Sequence, residues 1–134
     1  MADRSREAVE RGLPNTTYGV HVVEIAEGVE DDIGADTDDE PDEPGKPVGM
    51  ARIVGDGGSV FHVSDMAVAE PYQGQGLGTT MMDALVTWLR ENAPNGGYVN
   101  LLADVDGFYE RWGFEESAPD SKGMWIRTEA LSER

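Results

Sequence analysis

The chain contains no cysteine, which excludes a disulfide framework, a thiol nucleophile and a thiolate metal site whatever the compartment. It has no apolar run near the roughly 18 residues that a membrane span needs. With a polar, charged start from Met1 to Arg11, a soluble cytoplasmic protein is expected. Bases are scarce as well: 10 Lys and Arg stand against 27 Asp and Glu, a formal charge of -17. Such a chain repels a nucleic-acid backbone or an anionic membrane, so neither is expected as a partner. At 134 residues the chain suits a single core, and 1–134 is read as one domain.

The acidic excess is concentrated in one stretch but not confined to it. Glu30 to Pro44 holds nine acidic residues of fifteen and no base, which leaves 18 acids against 10 bases, or -8, elsewhere. Only Lys46 and Lys122 are lysines, and the other eight bases are arginines. This balance resembles that of haloarchaeal proteins, for which molar salt shortens the Debye length to about 3 Å and screens self-repulsion. The alternative is an acidic mesophilic protein with a disordered loop. Residues 28–47, acidic and carrying Pro41, Pro44 and Pro47, read as a flexible loop between two strands. The run Asp36-x-Asp38-x-Glu40 does not make a calcium loop, because Pro41 stands at the glycine position and Pro47 at the final glutamate. No metal is expected.

Periodicity supplies the rest of the organisation. A short helix over Arg4 to Arg11 precedes strands at Thr16 to Glu27, Val48 to Val54 and Ser59 to Val68, with Asp56-Gly57-Gly58 as a tight turn. Met81, Met82, Leu85, Trp88 and Leu89 then share one face of a helix from about Leu77 to Asn92, stopped by Pro94 and Asn95-Gly96-Gly97. Tyr98 to Ala103 suits a buried strand, Gly107 to Trp112 a short helix, and Phe114 and Lys122 to Arg127 closing strands. The order βββαβαββ implies an α/β (α+β) fold with a mixed, mostly antiparallel sheet and a right-handed crossover. On a regular strand, His62, Ser64, Met66 and Val68 share one face, opposite Phe61, Val63 and Asp65.

Between the third strand and the long helix lies Glu70-Pro71-Tyr72-Gln73-Gly74-Gln75-Gly76-Leu77-Gly78-Thr79. Glycines let the main chain turn sharply and approach a ligand, and the first amides of a helix lack internal partners beside its positive end. That combination holds a phosphate with no cationic side chain, which matters in a chain this negative. The spacing fits neither a dinucleotide fingerprint, since Thr79 stands where its last glycine belongs, nor a Walker loop, since no lysine follows.

These residues resemble the GNAT N-acetyltransferases, whose acetyl-CoA loop reads [QR]-x-x-G-x-[GA] between a strand and a long helix. Here it is Gln73-Gly74-Gln75-Gly76-Leu77-Gly78, preceded by Asp65-Met66-Ala67-Val68-Ala69-Glu70-Pro71-Tyr72. The family's aromatic signature follows as Gly107-Phe108-Tyr109-Glu110-Arg111-Trp112-Gly113-Phe114. The resemblance spans about Thr16 to Arg127. It implies a GNAT-like sheet with a central splay and helices on both faces, and acetyl-CoA as co-substrate. The main chain of Met66, Ala67 and Val68 would bind the pantetheine arm, and amides from Gln73 to Thr79 the diphosphate. The family also implies an amine acceptor, either a small molecule or a protein, and often a homodimer. Only about fifteen residues precede the first strand, so the acceptor site is expected to be abbreviated or completed by a partner subunit. The rival reading is a non-catalytic acyl-CoA-binding module.

Acetyl transfer to an amine needs a neutral amine, a stabilised oxyanion and a proton for the departing thiolate. A thiol titrates near 8.5 and a phenol near 10, so a tyrosine beside the sulfur can supply that proton; Tyr109 matches the family's residue in this role. His62, four residues before Met66, is the candidate base, with Ser64 as a water-mediated relay and Asp65, Glu70 or water as rivals. The oxyanion would fall near the Ala67 or Val68 amide.

Overall fold

A computed structural model describes residues 4–25 and 45–131; the acidic run Glu30–Pro44 lies outside them. The described residues form two compact units, one within Ala2–Leu101 and one within Leu102–Arg134.

The larger unit begins with helix α1 (Arg6–Gly12), capped by the Ser5 hydroxyl accepting from the Ala8 amide. Three antiparallel strands follow, β1 (Tyr18–Glu24), β2 (Lys46–Gly55) and β3 (Val60–Val68), then helix α2 (Leu77–Asn92) and strand β4 (Tyr98–Asn100). The sheet order is β1-β2-β3-β4, and β4 runs parallel to β3 after the α2 crossover. The turn from β2 to β3 is built on Asp56, whose carboxylate accepts from the Ser59 hydroxyl and from the amides of Gly58, Ser59 and Val60. These donors hold its carboxyl far below the ordinary carboxylate range.

The apolar stripe expected of α2 packs on one face of the sheet. Met81, Met82, Leu85 and Leu89 are buried with Ala51 and Ile53 of β2 and Phe61 and Val63 of β3. Trp88 stacks on Tyr18 of β1, with ring centroids 5.1 Å apart, and meets Phe61 edge-on. Both ends of the α1 segment tie to side chains of the opposite face: Arg4 reaches Asp65, and the Gly12 carbonyl and Thr16 hydroxyl accept from Arg52. Helices therefore serve both faces, as expected.

Several sequence expectations are corrected. β2 starts at Lys46, not Val48; Pro47 enters the sheet where the β1 register shifts between Val22 and Val23, a place where its missing N–H does no damage. β4 ends at Asn100 rather than Ala103. The largest correction is in β3. Met50 pairs with Ala67 and Arg52 with Ser64, so Ala51 faces both Asp65 and Met66, a bulge at which Asp65 takes a left-handed φ of 57°. Regular alternation stops there: His62 and Ser64 lie on the Arg52 side, whereas Val68, paired with Gly49, lies on the α2 side with Met66. Asp65, expected to face away from His62, is instead bound on the Arg52 side.

In the smaller unit the expected short helix is a 3-10 turn, Tyr109–Trp112, closed by Gly113 at φ 96°. Helix α3 (Thr128–Leu131) follows. Neither Phe114 nor Lys122–Arg127 forms a strand among the described residues. Met124, Trp125 and Ile126 are 89%, 72% and 55% exposed. Their apolar character suited a sheet, but strand formation needs a hydrogen-bonding partner as well as propensity.

Candidate functional site

The glycine-rich loop leaves β3 through a 3-10 turn, Glu70–Tyr72, and enters α2 at Gly76. Gly74 and Gly76 have φ of 81° and 82°, values that only glycine takes readily, and a side chain placed on either would meet open space. The side chain of Gln73 folds back and donates to the Val68 carbonyl at 2.9 Å, fastening the loop to the strand. No side chain caps the start of α2, and its first turn carries no acidic residue. Thr80 is the first residue whose amide returns to the helix, donating to the Gly76 carbonyl at 3.0 Å. The amides of Leu77, Gly78 and Thr79 precede that bond and are the partnerless donors of a helix N-terminus.

Along the preceding strand, β4 accompanies β3 only from Val60 to His62. From Val63 to Val68 that edge of β3 has no strand beside it among the described residues, which is the central splay expected of the sheet. Met66, Ala67 and Val68 lie on this edge and run into the loop. They are continuous in chain and place with Gln73 to Thr79.

His62 closes the β3–β4 ladder opposite Asn100, and its Nδ1 lies 2.5 Å from Asn100 Oδ1. Of the rival bases, Asp65 has both carboxylate oxygens on guanidinium groups, one on Arg4 and the other on Arg52 Nε at 2.6 Å. Ser64 accepts from Arg4 at 3.4 Å, so the proposed relay residue is drawn to a cation. Glu70 is exposed at the start of its turn. Tyr72, next to the loop, donates its hydroxyl to Glu24, and that hydrogen bond raises its pKa.

Tyr109 belongs to the smaller unit. Its ring meets those of Phe108 and Phe114 edge-on, with centroids 4.9 and 6.4 Å away, and Arg111 lies over Phe108 at 4.6 Å. Burial, and secondarily the charge of Asp104, push the Tyr109 hydroxyl above its ordinary value. The phenol therefore stays protonated well above neutral pH.

Three residues of the larger unit's site have no signature in the sequence: Asn100, Arg4 and Arg52. Each acts on a residue 38, 61 or 13 positions away, so only strand register brings them together. Arg52 carried the one available hint, a lone cation inside an apolar strand.

The family described as an acetyltransferase (GNAT) domain matches residues 30–116. A protein of unknown function from meticillin-resistant Staphylococcus aureus, named a probable acetyltransferase, is 35% identical with a TM-score of 0.74, covering 95% of this chain and 83% of that one. A GNAT family acetyltransferase from Streptococcus pneumoniae is 27% identical with a TM-score of 0.61, covering 92% and 81%. GCN5-related N-acetyltransferase 2, chloroplastic, of Arabidopsis thaliana is 37% identical over 90 residues, 66% of this chain and 34% of that protein. The chain thus spans between about a third and just under half of the length of the curated relatives it matches.

Proposed function

This chain belongs to the GNAT acetyltransferase family, and from that membership we propose that it is an acetyl-CoA-dependent N-acetyltransferase. The reaction is direct attack of a primary amine on the thioester through a tetrahedral intermediate. The observation that carries the reading is the continuous main-chain surface from the open edge of β3 at Met66, Ala67 and Val68 through the left-handed glycines to the bare first turn of α2. The strand edge suits the amide-rich pantetheine arm, and the loop and helix amides suit the diphosphate.

In the proposed reaction the ammonium acceptor gives a proton to His62 Nε2. Its nitrogen then bonds to the acetyl carbon while the carbonyl oxygen takes charge beside the Ala67 or Val68 amide. On collapse the carbon–sulfur bond breaks, the thiolate receives the Tyr109 proton, and the remaining extra proton on the acceptor nitrogen passes to solvent, from which the Tyr109 phenolate is reprotonated. The raised pKa of Tyr109 supports this role by keeping the donor protonated throughout the neutral range. The double ion pairing of Asp65 favours His62 over it as the base.

A charge of -17 favours cationic acceptors by steering, whether a small amine or a protein amine. The family match from 30 to 116 runs through both compact units and supports 1–134 as one domain. We also read the protein as cytoplasmic, salt-adapted in the haloarchaeal manner and homodimeric. No helix among the described residues is long and apolar enough to cross a membrane.

The test is release of free thiol from acetyl-CoA in molar KCl, with a polyamine, an amino acid, an aminoglycoside and a peptide α-amine as acceptors. Thiol release with one of them is expected. Saturable acetyl-CoA binding with no release over every acceptor would replace this reading with the acyl-CoA-binding module.

A further inference from the structure

The last pair of the β3–β4 ladder is His62 with Asn100. Beyond it β3 continues to Val68 while β4 has ended, so the pair stands where the two strands part. Both residues are partly buried, and the contact between His62 Nδ1 and Asn100 Oδ1 is 2.5 Å. An amide oxygen only accepts, so Nδ1 is the nitrogen that carries the proton and donates it. A neutral imidazole has one N–H, which leaves Nε2 as an acceptor.

Of the other titratable or charged groups on this side of the sheet, His21 of β1 is exposed, and three are occupied with one another. Arg52 of β2 and Arg4 both bind Asp65 of β3, and Arg52 also donates to Gly12 and Thr16 at the end of the α1 segment. On β4 the neighbour on the same side is Tyr98, two residues from Asn100. Asn100 is the group that His62 engages, and its amide oxygen orients the ring by accepting from Nδ1.

We infer that Asn100 is a positioning residue that holds His62 as the Nδ1–H tautomer and presents Nε2 as the proton acceptor at the mouth of the splay. The inference rests on the reading of His62 as the base. It makes β4 part of the catalytic arrangement through a residue that touches no reactant.

The experiment is a long-range proton–nitrogen correlation spectrum of the two imidazoles in the 15N-labelled full chain at alkaline pH. The chain has two histidines, and His21, exposed on β1, is the internal reference. The expected result is His62 protonated on Nδ1 in the unaltered protein and released to a mixture of tautomers like that of His21 in Asn100→Ala. In Asn100→Asp the Nδ1–H form persists, because a carboxylate oxygen accepts the same proton. An Nε2–H tautomer in the unaltered protein, or the same tautomer with and without the Asn100 side chain, overturns the inference. With an acceptor that releases thiol, Asn100→Ala is expected to lower kcat about tenfold or more, within the about 10²–10⁴ that a general base contributes, at unchanged KM for acetyl-CoA. His62→Ala at the unaltered rate and pH profile would remove the base reading alone, because the tautomer spectrum is read without turnover.

Discussion

Replacing Gly76 by alanine separates a ligand-holding loop from an ordinary turn. Gly76 has φ 82° and ψ 9°, and a methyl group there would meet nothing within 4 Å. The substitution therefore introduces no clash within the protein; its cost is the left-handed backbone, about 1–2 kcal/mol for a residue other than glycine. That energy appears as lost stability if the loop keeps its shape, and as lost affinity if the loop relaxes and acetyl-CoA must restore it. At 1.4 kcal/mol for each factor of ten, the latter limit is about a 5- to 30-fold rise in Kd. A methyl standing in the open space beside the main chain adds to the loss by opposing close approach of a diphosphate. Gly57 supplies the control. In the turn between β2 and β3 it has φ 83° and the same open surroundings, so Gly57→Ala carries the same backbone penalty away from the loop. Calorimetric titration with acetyl-CoA in concentrated KCl, paired with thermal unfolding, should show Gly57→Ala losing stability at unchanged Kd and Gly76→Ala losing affinity. A Gly74→Ala/Gly76→Ala double variant that folds and binds acetyl-CoA as the unaltered protein does would refute the assignment of the diphosphate to these amides.

Tyr109→Phe is expected to lower turnover while leaving the Kd for acetyl-CoA nearly unchanged; an unaltered rate would remove Tyr109 from the mechanism. In the core, Leu85, fully buried on the sheet-facing side of α2, should cost about 2–5 kcal/mol on replacement by alanine, read as a shifted urea midpoint, and a cost below about 1 kcal/mol would contradict the packing. Because its hydrogen bonds depress the pKa of Asp56 from 3.8, its stabilising contribution is complete above the unfolded value and falls away as pH drops below it. Asp56→Asn should therefore flatten the dependence of stability on pH in the window below 3.8, and an unchanged acid transition would deny Asp56 that role. Stability should rise from dilute buffer to multimolar KCl, and greater stability in dilute buffer would defeat the salt-adapted reading.

The sequence disclosed those parts of the fold whose cause is local. The buried face of α2 follows from the spacing of Met81, Met82, Leu85 and Leu89, and the turn at Asp56 from an acid before two glycines. The loop at Gly74 and Gly76 was legible because left-handed backbone leaves a compositional trace. What stayed hidden depends on register. A strict period of two put His62 and Val68 on one face, but the extra residue at Asp65–Met66 reverses every side chain after it. Nothing in Ser64-Asp65-Met66 announces a left-handed aspartate, since its conformation accompanies two arginines, Arg4 from just before α1 and Arg52 from β2. The pairing of His62 with Asn100 likewise depends on where a parallel strand stops. Lys122 to Arg127 shows the converse, an apolar pattern that forms no strand among the described residues.

Electrostatics connects the scarcity of bases to the design of the loop. In α1, Arg6 and Arg11 make exposed pairs with Glu10 and Glu7, contacts worth only tenths of a kcal/mol and weakened further by salt. Arg52 differs: its side chain is 13% exposed against 12% for Asp65, and a pair so shielded is screened far less than one in open solvent. The loop from Gln73 to Thr79 contains neither lysine nor arginine. A diphosphate held there by exposed cations would lose much of its attraction in molar salt, where the Debye length is about 3 Å. Main-chain amides act by direct contact at hydrogen-bonding distance, inside that length, while the same salt suppresses the long-range repulsion from the acidic surface. Raising KCl thus removes the main obstacle to an anionic ligand and spares most of what grips it, so affinity for acetyl-CoA should hold or rise under conditions in which a lysine-built phosphate site would weaken.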